Sequence, residues 1–510
     1  MSYSQTSIWS TTLISTLLST LITTVHAKPT ESPDMWYQQG QQSLRQAIAL
    51  KPNTHRAKNI ILFVGDGMGV STVTAGRIFD GQSKGQPGEE NQLSFEKLPY
   101  VGLAKTYNTN QQTPDSAGTM TAMMTGVKTR AGYISIDQIP DRGDCSPAQA
   151  HGLKTLLEQA EQAGMATGVV TTARLTHATP AATYAHVTER DWESDDEMPK
   201  KARQQGCKDI ARQLLEFPYG DGLEVAFGGG WRHFIPETER DLVNHSQRGR
   251  REDGRNLITE WLERYPRKGA FVWNKAQLSQ LDDDKQHVLG LFNRSHMSFH
   301  TDQNSGNPRG EPTLKMMTQK ALKILDKRPQ GFFLMVESGR IDHGHHAGNA
   351  YRALHETQAF ANSIQAALSM VDLKDTLVIV TADHSHVLTM AGYPTRGNPI
   401  LGKVHGNNSK GRPSSKDTLA DDDLPYTTLG YMNGPGAVSN HGRDDLTSVD
   451  TTDSHFQQQA LIPTSAETHS GEDVAIYAGG PWAHLIHGTH EQNYIYHVMF
   501  HAAQLNRARH

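Results

Sequence analysis

Short continuous apolar runs recur along this chain, with helical stripes between them. Asn59-Ile60-Ile61-Leu62-Phe63-Val64, Phe332-Phe333-Leu334-Met335-Val336 and Thr376-Leu377-Val378-Ile379-Val380-Thr381 show no alternation of apolar and polar positions. Runs of this kind predict strands buried on both faces of a parallel sheet. Gly168 to Thr172, Leu223 to Phe227 and Val474 to Ala478 predict further strands. A helical period joins Leu153, Leu156, Leu157 and Ala160, then Leu314, Met317, Ala321 and Leu325, then Leu354, Ala361, Ile364, Leu368 and Val371. Strands alternating with helices predict an α/β fold.

Other stretches break this rhythm. Residues 28–57 are polar, with a helical patch around Leu44 to Leu50, and read as an N-terminal arm. Residues 236–312 are charge-rich with little periodicity and read as surface elaboration. From Met390 to about Pro463 the chain turns to Gly, Asn, Ser, Asp and Pro. That is too long for a simple loop in a compact domain. It is either a disordered excursion or a small subdomain inserted over a site, and its place after a strand with polar residues at its end favours the second.

The 510 residues suffice for one large core or two or three domains. Charged residues are 20% of the chain and the net charge is −5, so no basic footprint points to nucleic acid. Ile8 to Val25 is apolar and hydroxyl-rich and ends in Val25-His26-Ala27, which reads as a secretory signal over residues 1–27. An uncleaved anchor is the alternative, but its many Ser and Thr make a poor membrane span. An exported protein follows, periplasmic or secreted, with no later membrane span. The two cysteines, Cys145 and Cys207, are then either one disulfide or two buried thiols. A bridge across that loop would contribute roughly 4 kcal/mol in the chain-entropy model. Two cysteines cannot build a thiolate zinc site, so zinc here would need His and carboxylates.

The chemistry gathers at strand ends. Three of the apolar runs end in an acidic residue: Asp66 in Gly65-Asp66-Gly67-Met68-Gly69, then Glu337, then Asp383. In open α/β sheets ligands bind at that edge. Glu337 is followed by Arg340, Asp342, His343, His345 and His346, and Asp383 by His384 and His386. One helical turn would bring Asp342 and His346 together. Beyond the 168–172 strand stand His177, Thr179 and Arg190, and His469 precedes the last strand. Thr113-Pro114-Asp115-Ser116-Ala117-Gly118-Thr119 is followed by a stripe of Met120, Met123, Met124 and Val127. Ser116 therefore sits at a helix N-terminus, where an anion is favoured. It is either a capping serine or an exposed nucleophile. The hard oxygens and imidazoles elsewhere suit zinc and magnesium and favour the nucleophile.

These residues resemble the alkaline phosphatase family over nearly all of the mature chain. The resemblance implies a three-layer αβα sandwich around a mostly parallel sheet, with 390–463 as a crown-like insertion in a catalytic domain of residues 28–510. It implies two Zn2+ and one Mg2+, a homodimer, and small phosphate monoesters as substrates. Ser116 would form the phosphoserine, and Arg190 would hold two phosphate oxygens. Asp66, Asp383 and His384 with Ser116 resemble one zinc site, and Asp342, His346 and His469 the other. Asp66, Thr179 and Glu337 resemble the magnesium site. His386 resembles a supporting histidine behind the zinc ligands. His177, His343 and the Cys145–Cys207 pair resemble the animal and marine-bacterial branch. That branch carries a calcium site near Phe292, but its acidic position is Asn293 here. Phosphodiesterases and sulfatases of the same superfamily, and a silent exported zinc- or phosphate-binding protein, are the rival readings.

Overall fold

The computed structural model describes residues 1–2, 31–145, 150–241, 246–282, 284–303, 306–307, 309–438 and 442–505. The segment 8–25, read as a secretory signal, lies outside the described residues. The chain divides into two compact units, Met1–Lys51 and Pro52–His510. In the first, a helix spans Pro33–Ala49, beginning well before the patch that the sequence signals. Ser32 caps it by accepting the Met35 N–H, and Pro33 suits a first helical position because no N–H is needed there.

The strands of the second unit, in chain order, are β1 (Asn59–Gly65), β2 (Tyr100–Lys105), β3 (Ala166–Arg174), β4 (Val225–Gly229), β5 (Gly269–Val272), β6 (His287–Leu291), β7 (Phe332–Ser338), β8 (Thr376–Ala382), β9 (Ser385–His386), β10 (Leu388–Met390), β11 (Leu429–Gly434), β12 (Ala460–Pro463), β13 (His469–Ser470), β14 (Val474–Gly479) and β15 (Thr489–Glu491). Ten of them form one sheet in the order β15-β2-β14-β8-β1-β7-β3-β4-β6-β5. Only β14 runs against its neighbours, β2 and β8; the other pairs are parallel. The apolar runs β1, β7 and β8 are buried along their whole length, as strands covered on both faces must be.

Two groups of helices cover the sheet. Val70–Gln82, Leu314–Leu325 and Ala350–Leu368 pack together, and Ser116–Thr125, Leu156–Gln162 and Tyr494–Ala503 form the second group. Both groups meet the central strands, which makes a three-layer αβα sandwich.

The stretch 236–312 is not only surface elaboration. It supplies β5 and β6, and β6 is fully buried in the sheet. These strands are four and five residues long, and Gly269 and Gly290 interrupt their apolar character, so they show too few periods to be read.

The insertion after β8 has its own architecture. β10, β11 and β12 form a three-stranded sheet. Ile400, Leu401, Leu429, Tyr431 and Ala460 pack there against Ala75, Ile78, Ala350 and Leu354 of the helices 70–82 and 350–368. Cys145 and Cys207 form a disulfide with Cα atoms 6.1 Å apart.

Candidate active site and metal centre

Parallel pairing assembles the site. Gly65 is level with Ser338 on one side and Ala382 on the other. Glu337, near the end of β7, and Asp66 and Asp383, each one residue past a strand, therefore converge at the carboxyl edge. All three are fully buried. The turn after β1 needs Gly67: its φ is +69°, and a Cβ there would lie 2.3 Å from the His386 ring. The Gly67 N–H donates to Asp383 Oδ1 at 3.0 Å.

Asp115, not Ser116, caps the helix Ser116–Thr125. Its Oδ1 accepts the Gly118 N–H at 3.0 Å, and its Oδ2 accepts the Gly132 N–H at 2.8 Å. With the capping role filled, Ser116 Oγ faces His384 Nε2 at 3.1 Å. Asp115 Oδ2 also meets Arg190 Nη1 at 3.1 Å, and Arg190 Nη2 reaches His177 Nε2 at 3.2 Å. The guanidinium is thereby aimed beside the serine.

Three donor clusters surround this serine. Asp66, Asp383 and His384 form one, with His384 Nε2 3.4 Å from Asp66 Oδ1 and from Asp383 Oδ2. Asp342, His346, His386 and His469 form the second. Asp342 Oδ1 lies 2.8 Å from Nε2 of His386, 3.2 Å from that of His346 and 3.3 Å from that of His469. The helix Arg340–His346 sets Asp342 and His346 one turn apart, and antiparallel pairing of β9 with β13 puts His469 opposite His386. Asp66, Glu337 and His177 form the third cluster, and Thr179 is buried in the short helix Ala178–Ala181 that follows β3. The structure thus brings Asp66, Glu337, Asp342, His346, Asp383, His384 and His469 into these clusters. It places His386 directly on Asp342, inside the second cluster.

Burial and mutual repulsion act on these crowded carboxylates. Burial pushes Asp66 well above the usual carboxylate range, and Asp383, Asp342 and Glu337 push it further. Burial likewise raises Asp383, and it raises Glu337 to about 8. Burial followed by the neighbouring His469 lowers His384 far below its ordinary value, favouring the neutral ligand form. Both oxygens of Asp66, Asp383 Oδ2, Glu337 Oε1 and Thr179 Oγ1 are buried without a hydrogen-bond partner. Leaving such groups unpaired costs about 1–3 kcal/mol each, more when charged. Carboxylate, hydroxyl and imidazole donors in this mix fit zinc and magnesium. Two other acidic clusters are satisfied differently. Arg174 hydrogen-bonds Glu193 in one, and in the other Arg251 bonds Asp209 and Asp253.

Sequence reasoning missed several groups here. The Thr171 hydroxyl donates to Glu337. His296 packs 5.1 Å from His177 and 4.1 Å from His343, centroid to centroid, and Arg174 bonds it. Burial keeps all three imidazoles neutral at ordinary pH, with His343 at about 4. Glu467, buried, binds His386. His296 lies in the stretch read as surface, and Glu467 in a polar segment without period.

A family model described as alkaline phosphatase matches residues 57–505. The tissue-nonspecific alkaline phosphatase of Felis catus is 46% identical over 481 residues, which cover 93% of this chain and 89% of that protein. An alkaline phosphatase of Gadus morhua is 44% identical, over 94% of this chain and 98% of its own length. The crystal structure of Thermus thermophilus alkaline phosphatase superposes with a TM-score of 0.62 at 25% identity, covering 90% of this chain and 93% of that one.

Proposed function

The chain belongs to the alkaline phosphatase family, and from that membership we propose how its own residues hydrolyse phosphate monoesters and which metals they hold. It is a phosphoric monoester hydrolase, and its family is metal-dependent. The observation that carries the residue assignment is the set of unpartnered buried oxygens on Asp66, Asp383, Glu337 and Thr179 beside Ser116. We assign Asp66, Asp383, His384 and Ser116 to one zinc ion and Asp342, His346 and His469 to a second. Asp66, Thr179 and Glu337 hold one magnesium ion. Metal ions so held supply Lewis acidity, which draws protons from hydroxyl groups and neutralises charge on phosphoryl oxygens.

Ser116 Oγ gives its proton to solvent and attacks phosphorus, the bond to the leaving alkoxide oxygen breaks, and that oxygen takes a proton from water to depart as the alcohol. Water then attacks phosphorus from the opposite side. The bond to Oγ breaks, inorganic phosphate leaves, and the serine is restored. The free N–H groups of the first helical turn favour the phosphoserine. Arg190 holds two of its oxygens, a task for which planar guanidinium is suited. His384 Nε2 faces the serine and both carboxylates. One nitrogen cannot both bind metal and take a proton, so His384 is assigned as ligand and not as base.

Phosphate-monoester hydrolysis needs acceleration of up to roughly 10²¹, which a lone Ser–His pair does not supply. The experiment is phosphate release from an aryl phosphate at alkaline pH, before and after chelation, with zinc and magnesium restored. Activity should vanish on chelation and return with both metals, and Ser116→Ala should take up the metals yet turn over poorly. Equal turnover in variant and wild type would remove Ser116 from its role. Faster hydrolysis of a diester than of a monoester would instead favour a phosphodiesterase.

The remaining assignments share this basis. Residues 28–510 form the catalytic domain, with 390–463 as a crown over the interface of a homodimer. The insertion exposes Met390, Leu419, Met432, Leu461 and Ile462, apolar surface that a second copy would cover. A monomeric mass by light scattering would refute the dimer. Export fits the disulfide, which oxidising compartments sustain. Intact residues 1–27 on the protein from the native cell would refute cleavage. Among the described residues no helix is long and apolar enough to cross a membrane.

A further inference from the structure

We infer that Glu467 is a positioning residue for the second metal cluster, orienting His386 and Asp342 through its carboxylate and His346 through its main chain. The inference rests on the assignment of Asp342, His346 and His469 to a metal.

Glu467 stands between β12 and β13, two residues before His469. It is 1% exposed, deeper than a glutamate without a task would be. Its Oε2 takes the Nδ1 side of His386, and its Oε1 accepts the Val387 N–H at 2.7 Å. The other nitrogen of His386 meets Asp342 Oδ1 at 2.8 Å. The imidazole is therefore gripped between two carboxylates, and it transmits the position of Glu467 to Asp342.

The backbone of the same residue acts on the neighbouring histidine. The Glu467 N–H donates to the His346 carbonyl at 3.0 Å, and the Glu467 carbonyl accepts from His346 Nδ1. His469 is treated alike from the other side, since its Nδ1 donates to the Pro114 carbonyl at 2.8 Å. With the proton fixed on Nδ1, both rings keep Nε2 as an acceptor, and those two atoms lie 3.2 Å apart beside Asp342. Metal-binding histidines need this control of tautomer and ring angle, and losing such a partner typically costs 10–100-fold in metal affinity.

What holds Glu467 is the insertion. Gly434 at the end of β11 leaves room for it: a Cβ there would touch Glu467 Cβ at 3.4 Å. Asn433 Oδ1 accepts the Thr468 N–H at 3.0 Å. The inserted sheet thereby braces the metal cluster as well as covering it.

The test loads the full-length protein with zinc and follows its release to a chromogenic chelator. Glu467→Gln keeps the shape but replaces the carboxylate by an amide. It should release one zinc roughly 10–100 times more readily than wild type, and Glu467→Asp should fall between. A merely structural glutamate would show the same loss whatever occupies position 386. A positioning one acts through His386, so Glu467→Gln should add little in a His386→Gln background. Wild-type retention in Glu467→Gln, or full additivity in the double variant, overturns the inference. A wild-type chain that takes up no zinc overturns the metal assignment itself, which is a separable result.

Discussion

Asp115 illustrates how much one residue can carry. It caps the nucleophile helix, ties Gly132 to it, and meets Arg190 at 3.1 Å. Burial would lower the Arg190 pKa, but Asp115 first, with Asp66 and Asp191, more than offsets this, so the guanidinium stays charged. The cap and the clamp can be separated experimentally. Asp115→Asn keeps a capping oxygen but withdraws the charge. A hydrogen bond to a charged group is worth about 1.5–3 kcal/mol. Inhibition by inorganic phosphate should therefore weaken roughly tenfold or more in Asp115→Asn and further in Arg190→Ala. If Asp115 acts through Arg190, the double variant should be little worse than Arg190→Ala alone. Unchanged phosphate inhibition in Asp115→Asn would show that the arginine is held by other means. Asp115→Ala should in addition lose about 1 kcal/mol of stability, because the cap goes too.

Elements differ in how plainly the chain announces them, and the nucleophile helix lies between the extremes. Its stripe of methionines predicts a helix after Ser116, and Gly118 stands inside the first turn. The structure shows why it stands there: a Cβ on residue 118 would lie 2.2 Å from Asn108 Nδ2, and Asn108 Oδ1 holds the Asp115 N–H at 2.8 Å. Alanine is the better helix former by about 1 kcal/mol. Gly118→Ala should nonetheless lower both the melting temperature and kcat, since Asn108 and then Asp115 must shift. A rise in melting temperature with kcat intact would refute this. Long buried strands were legible because β1, β7 and β8 are apolar without a break, and their acidic ends follow directly. The short strands β2, β5, β6 and β15 were not, since three to six residues with interruptions carry no period. Glu467 and His296 were hidden for another reason. Their partners, His386 and Arg174, are 81 and 122 residues away, and only pairing across the sheets brings them near.

Across the whole molecule the sheet has two polar ends with opposite solutions to one problem. Both crowd carboxylates into a buried space. At the carboxyl edge Asp66, Glu337 and Asp383 converge with buried oxygens that have no hydrogen-bond partner. At the amino edge Glu161 and Glu224 flank the start of β3: Glu161 Oε1 accepts the Thr167 hydroxyl at 2.6 Å, and Glu224 Oε2 accepts the Thr167 N–H at 2.7 Å. Arg328 reaches Glu224 at 2.7 Å, but Glu161 Oε2 has no hydrogen-bond partner. Burial, then the nearby Glu224, pushes Glu161 up to about 9, so this end is relieved by a retained proton. A carboxyl raised above its unfolded value stabilises the fold fully below about pH 4.5, and that contribution drains away as pH rises through the folded value. The loss therefore falls between about pH 4.5 and about pH 9. Glu161→Gln cannot ionise, so it should remove this part of the alkaline decline. Melting temperatures of zinc- and magnesium-loaded protein from pH 6 to 10 would show it: wild type should fall more steeply than Glu161→Gln toward pH 9. Parallel curves would mean that Glu161 ionises without cost to the fold.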